Sequence, residues 1–566
     1  MTLRKKRAIQ WFAAGAVVAL LASACGTPGS ETGGSGDEKV QRGGTLTLLD
    51  LADFEHLDPR RNYVASQLQL EVLYAPTLVS YKNATGSAGT EIGADAATDT
   101  GTKNADATQW TFTIRKNLKW QDGKAVTCQD FKYGIESSFS DVLTDGPAYQ
   151  KQYLKGGLDY KGIYLDPKGL DSIKCDGDKI SFTLARPIAD FNYALTMGIF
   201  AAVRKDKDTK EKYDQQPFSY GPYMIKSHVR DQSLELVRNP YWSQADDQIR
   251  KNNPDNIKFT FGLDQAVIAD RLIQDKAADQ RTATFGNTQV PAQNVQQVLN
   301  DPKLKARTFG GIDPYVWYVA VNTAKVKDLK CRQAYQYATN KRTYLTAIGG
   351  DALGQYATSI LSPTMKSYKE IDPYGLKDKP EGDPAKAKQL LAQSPTCPKN
   401  IKLDYSQTPT GDKIAASIKE AFARAGITVT ANPIARKQYY STIGKPAIEN
   451  ELAYAAWGAD FPRCSSVIPP LFDGTQIPPA GNQNFAQLND PAINQGIKES
   501  AAQTDPQKAE DTCSALDLKV QQTGAIIPLR YEKALFMRGS KVTGAQMNAE
   551  YSDISLLNVG VAPGNS

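Results

Sequence analysis

Only two histidines, His56 and His228, occur in the 566 residues, far apart along the chain. A hydrolytic triad or a His-rich metal centre would have to be built on one of them. The chain has no Gly-x-Ser-x-Gly elbow, no His-Glu-x-x-His, no P-loop and no Gly-x-Gly-x-x-Gly. Its remaining reactive side chains are thiols. Cys128, Cys175, Cys331, Cys397, Cys464 and Cys513 make an even set without a Cys-x-x-Cys pair. In an exported chain that pattern favours disulfides over redox catalysis or zinc binding. Six cysteines can pair in many ways. Pairing sequence neighbours, Cys128–Cys175, Cys331–Cys397 and Cys464–Cys513, would staple a loop within each of three subdomains. The expectation is a chain with no catalytic residues, no metal and no cofactor.

Export is written at the N-terminus. Arg4, Lys5, Lys6 and Arg7 precede a mostly apolar run from Trp11 to Ala22, and Ala22-Ser23-Ala24-Cys25-Gly26 follows. A cationic start, a short apolar stretch and small residues make a secretory signal. The apolar run falls short of the roughly 20 residues that span a bilayer. A Cys directly after small residues resembles a bacterial lipoprotein lipobox, with Ala22 where that motif usually has Leu. The resemblance implies that residues 1–24 are removed and that Cys25 becomes the lipidated first residue. From Gly26 to Gly36 the chain is rich in Gly, Ser and Thr, so residues 25–42 are expected to be a flexible tether. The formal net charge of +6 includes the four cations of the leader. The rest is nearly neutral and lacks a Lys/Arg tract, which argues against a nucleic-acid partner.

Short strands and helices must position whatever the chain binds. Gly43 to Leu49, Trp110 to Ile114 and Ile180 to Leu184 alternate apolar with polar residues, the period of a half-buried strand. Lys119 to Val126 carries an Asp122-Gly123 turn, a hairpin signal. Thr127 is placed to cap a helix from Cys128 to about Ser138. In the second half, Asp383-Pro384 and Asp505-Pro506 pair an N-cap with proline at the first helical position. Ile414, Ile418 and Phe422 recur every four residues, Gly426 ends that helix, and Ile427 to Thr430 follows as a strand. Helices alternating with strands, in more than 500 residues, predict α/β architecture with at least two lobes.

Several segments, taken in order, resemble the bacterial extracellular solute-binding proteins of family 5, the oligopeptide- and dipeptide-binding class. Trp110 to Tyr133 reads WTFTIRKNLKWQDGKAVTCQDFKY. Phe182 to Pro187, Tyr220-Gly221-Pro222-Tyr223, Leu236 to Trp242, Val321-Asn322-Thr323, Cys331 to Ala334, Ala455 to Asp460 and Ile527-Pro528-Leu529 each resemble a segment of that family. Two positions depart from its pattern. Asn340-Lys341 stands where the family usually has Asp-Arg, and Phe461-Pro462-Arg463-Cys464 puts a cation where an acid is common.

The resemblance implies a hinged, two-lobed fold like the periplasmic binding proteins of type II, of the larger kind with an extra subdomain. The first lobe would comprise residues 43–84, 205–311 and 522–566, with residues 85–204 as the extra subdomain. The second lobe would be residues 312–521, and the hinge would lie near Gly310–Asn322 and Gly524–Tyr531. Asp460 would meet the ammonium of a bound peptide, the backbone of Ala456 to Gly458 would pair with its main chain, and Trp457 would supply an apolar wall. Tyr531 and Trp317 are further candidates near the hinge. The chain would be a monomeric, lipid-anchored receptor on the extracellular face of a bacterial cell membrane, delivering peptides to separate ABC permease and ATPase subunits. A sugar, a metal chelate or haem is the rival solute within the family. A peptide-signal receptor or an extracellular hydrolase is the rival role.

Overall fold

The computed structural model describes residues 39–562 apart from Thr144. The leader, Cys25 and the tether as far as residue 38 lie outside the described residues. Among the described residues no helix is long and apolar enough to cross a membrane.

Period-two alternation builds the first sheet. Gly43 and Gly44 turn the chain through positive φ into the strand Thr45–Leu49, where Leu46 and Leu48 are buried. This strand lies parallel to Asn256–Thr260 on one side and to Thr282–Thr284 on the other. Ser233–Arg238 and Tyr223–Val229 extend the sheet antiparallel, giving five strands.

A four-stranded sheet, Thr102–Lys103, Gln109–Thr113, Lys179–Thr183 and Ile173–Asp176, is formed by the chain between Thr45–Leu49 and Tyr223–Val229. Trp110 and Phe112 face inward, and on the opposite face Thr111 Oγ1 and Ser181 Oγ share a hydrogen bond of 2.8 Å. The helix Cys128–Ser137 opens on a capping box: Thr127 accepts from the Asp130 amide, and the Asp130 carboxylate accepts from the Thr127 amide. Cys128 is bonded to Cys175. The Asp122-Gly123 turn forms, but its arms make a single bridge, Lys119 to Ala125, instead of two strands. The reason is local competition, since the Gln121 amide donates to Ser219 O at 2.8 Å. The inward residues of the two sheets form one continuous core, so residues 85–204 are not packed as a separate body.

The second lobe is a six-stranded sheet in the order Gly354–Tyr356, Ile526–Met537, Thr308–Val321, Leu452–Gly458, Asn400–Gln407, Thr428–Ala435. One face is covered by Leu329–Ala338, Lys341–Ile348, Pro384–Ala392 and Pro409–Ala423. The other is covered by Ile468–Phe472, Pro491–Ala501 and Pro506–Gln522. Helices on both faces of a mixed sheet make the lobe α/β. Asp383 and Asp505 cap their helices through the amides of Lys386 and Lys508, each at 2.9 Å. Asn340 does the same for Thr343 at 3.0 Å. An Asn cap is as good as an Asp cap, so the departure at this position leaves the helix intact. Cys331–Cys397 lies on one side of the sheet and Cys464–Cys513 on the other.

Thr308–Val321 and Ile526–Met537 are long antiparallel partners that run from one lobe to the other. Phe309 and Phe536 belong to the first core, whereas Val319, Val321, Ile527 and Leu529 belong to the second. Their ladder slips between Ile312 and Val316, at the junction. Beyond Met537 the chain returns to the first lobe in two short ladders.

Candidate ligand-binding site

The loop after Leu452–Gly458 is pinned from several directions. Trp457 Nε1 donates to Ser466 O at 3.0 Å, closing the loop on itself. Ser466 Oγ donates to Phe461 O at 2.7 Å, and the Cys464 amide donates to Glu510 Oε1 at 2.9 Å. The Cys464–Cys513 bond ties the base of the loop to a helix. Phe461, at its tip, is buried in the core of the first lobe and meets Tyr149 edge-on at 5.6 Å. Ser465 Oγ reaches Asp190 Oδ2 at 2.6 Å. The two lobes are thus in contact here.

This architecture aims Asp460 between them. Its Oδ2 accepts hydrogen bonds from the Tyr63 hydroxyl at 2.9 Å and from the Tyr149 hydroxyl, both in the first lobe. Burial pushes the Asp460 carboxyl above its usual range, and the two phenols pull it part of the way back. Burial and the Asp460 charge hold both tyrosine hydroxyls firmly protonated. Among the described residues, no Lys, Arg or His makes an ion pair with Asp460. Arg463, three residues on, lies over the Tyr193 ring at 4.1 Å, and its Nε is buried with no hydrogen-bond partner. The residue as a whole is half-buried, and among the described residues it makes no ion pair with Asp460.

The neighbouring strand offers main chain. Leu452–Gly458 is paired along its whole length with Thr308–Val321, but among the described residues only Leu452 and Ala453 have strand partners on its other side. The Tyr439 hydroxyl satisfies Tyr454 O at 2.5 Å, and Tyr440 lies against the Ala456 main chain. The edge from Ala456 to Gly458 is otherwise open to strand addition. Tyr315 is opposite Gly458 in the ladder, and a side chain at 458 would run into its ring.

Of the residues expected from sequence, Asp460, Ala456 and Gly458 come together with Tyr63, Tyr149, Tyr315 and Tyr440. Trp317 lies on the Ala456 side of the sheet, but its ring is stacked on Tyr454 at 5.1 Å and covered by Arg530 at 5.2 Å, and its Nε1 donates to Glu532 at 2.5 Å. Trp457 and Tyr531 are placed apart from these. Trp457 alternates with Ala456 and Gly458, so it faces the opposite core, where its indole anchors the loop. Tyr531 is 1% exposed, and its hydroxyl accepts from the amides of Thr358 and Ser359 at 3.1 and 3.0 Å. Both side chains make contacts within the second lobe. The four tyrosines were missed because they come from other parts of the chain and no local motif marks them. Each histidine is spent on an aspartate, His56 on Asp214 at 2.7 Å and His228 on Asp53 at 2.9 Å.

Residues 91–479 match the family described as bacterial extracellular solute-binding proteins, family 5 Middle. The sequence is 26% identical over 465 residues to heme-binding protein A of Haemophilus influenzae, covering 78% of this chain and 79% of that protein. It is 23% identical over 447 residues to the periplasmic oligopeptide-binding protein OppA of Salmonella typhimurium, covering 76% and 77%. Among solved structures, the clavulanic acid biosynthesis oligopeptide binding protein 2 superposes with a TM-score of 0.87 and 30% sequence identity, over 93% of this chain and 97% of that one.

Proposed function

Since the chain belongs to the bacterial extracellular solute-binding proteins of family 5, we propose that it captures peptides between its lobes and passes them unaltered to the permease and ATPase subunits of an ABC importer. The observation that carries this reading is Asp460: a half-buried carboxylate between two lobes, given two phenol donors but no cation among the described residues. Such a group is suited to an incoming ammonium, whose charge it would balance in a site poor in water. The open edge from Ala456 to Gly458 supports main-chain pairing with a peptide, which reads no side-chain identity. Binding without chemistry agrees with a site made of one carboxylate, tyrosines and backbone.

Cys25 serves in this reading as a lipid anchor holding a monomeric receptor at the outer face of the membrane. The test is mass spectrometry of the solute that copurifies with the protein, followed by titration calorimetry against tripeptides, haem and sugars. Peptides are expected to bind. Binding of haem or a sugar with no response to any peptide would overturn the reading.

A further inference from the structure

Asp190 immediately precedes the helical turn Phe191–Ala194. Aspartate favours that position because its carboxylate can cap the turn, yet Asp190 makes no side-chain capping bond there. Its Oδ2 instead accepts from the Ser465 hydroxyl at 2.6 Å, across the junction of the lobes. Tyr193, three residues on, carries Arg463 over its ring at 4.1 Å. Phe191 and Tyr193 are buried in the first core, so the turn that meets the loop is fixed in the first lobe.

The loop is held as firmly to the second lobe. Cys464 is bonded to Cys513 and its amide donates to Glu510, and Ser466 O accepts from Trp457 Nε1. Cys464 and Ser466 thus grip the second lobe, while Arg463 and Ser465, alternating with them, reach the first. Arg463 makes no ion pair among the described residues, so the Tyr193 ring, 8% exposed, is what holds it. Phe461, buried in the first core, separates this pair from Asp460 along the loop. Resting on the capture reading above, we infer that Arg463 and Ser465 are positioning residues, which clasp the second lobe to the turn bearing Asp190 and Tyr193 when the lobes close, and which do not touch the solute. Opening breaks both contacts and frees Asp190 to cap its own turn. The clasp therefore favours the closed form by the same factor whatever solute is held. The competing arrangement, Arg463 receiving the carboxylate of a bound peptide, predicts a loss that depends on that carboxylate.

Titration calorimetry and stopped-flow dissociation of the full-length protein with Ala-Ala-Ala, its C-terminal amide and Leu-Gly-Gly separate the two. Ser465→Ala is expected to weaken all three peptides alike by about fivefold, and Arg463→Met by about threefold, with faster dissociation. In an Asp190→Ala background, Ser465→Ala is expected to cost less than about twofold more. A thermal melt of each variant separates a lost clasp from a lost fold. Affinities within about twofold of the parent in both folded variants, an undiminished effect of Ser465→Ala without Asp190, or an Arg463→Met loss that vanishes for the amide would overturn the inference and leave the peptide reading standing. Should haem or a sugar prove to be the solute, the same factors are expected for it, and the clasp stands while the peptide reading falls. Silence toward peptides, haem and sugars alike would remove both.

Discussion

Replacing Asp460 with asparagine keeps the size of the side chain and an oxygen for Tyr63 and Tyr149 to donate to. What it removes is charge. An ammonium about 3 Å away, at an effective dielectric of about 20, gains about 5–6 kcal/mol of Coulomb energy. Desolvating both ions, and the raised proton affinity of the buried carboxyl, take part of that back. Losing one partner of such a pair costs about 2–5 kcal/mol. Because Asp460 is half-buried, the lower part of that range applies, about 2–3 kcal/mol, or about 30- to 150-fold in Kd. Titration calorimetry at neutral pH with a tripeptide, free and N-acetylated, measures the term directly. Acetylation deletes the ligand's charge, so the acetylated peptide should bind weakly to the parent and lose less than about threefold more in Asp460→Asn. Tyr63→Phe and Tyr149→Phe should each weaken the free peptide by about fivefold, the worth of one hydrogen bond. If Asp460→Asn binds the free peptide within about threefold of the parent, or loses both peptides equally, Asp460 does not act through its charge.

Gly458→Ala would place a Cβ 2.9 Å from the Tyr315 ring. The ring must swing aside, and peptide affinity should fall by about three- to tenfold, with the thermal midpoint moving only a few degrees in calorimetry. Replacing Cys331 and Cys397 by serine opens a link spanning 66 residues; denaturant titration should record a loss of about 4 kcal/mol. Burial raises Asp517 to about 6, Asp50 to about 7 and Asp553 to about 8, from 3.8. The folded protein therefore keeps protons that the unfolded chain gives up from about pH 4 to those values. Stability should fall as pH rises from 5 to 8, by about 1.4 kcal/mol per pH unit for each carboxyl within its window. Asp553→Asn should flatten the curve between about pH 6 and 8, as chemical denaturation at each pH will show. Cys25→Ser should move the protein from the membrane fraction to the medium on cell fractionation.

The sheets and helices were legible because they rest on local rules. Trp110 and Phe112 alternate with Thr111 and Thr113, and Asp-Pro pairs open helices at Pro384 and Pro506. The arms of the Asp122-Gly123 turn failed to become strands because Ser219, about a hundred residues on, takes an amide from one arm. Asp460 could be reached through its motif. Its partners could not, since Tyr63 and Tyr149 are two among 27 tyrosines, and only the meeting of the lobes selects them. The facing of Trp457 was legible from parity alone: a residue between Ala456 and Gly458 in a strand faces the other way. Tyr531 shows the converse difficulty. Its place opposite Val316 in the ladder, and hence in the core, depends on a register that a slip between Ile312 and Val316 has altered.

The three covalent cross-links share a property that their positions along the chain conceal. Cys128–Cys175 belongs to the first lobe, Cys331–Cys397 and Cys464–Cys513 to the second, and none straddles the pair of strands that joins them. Oxidation therefore hardens each half as a separate casting and leaves the articulation to hydrogen bonds and side-chain contacts. A reductant should soften the halves without loosening the joint, so stability and opening respond to different agents.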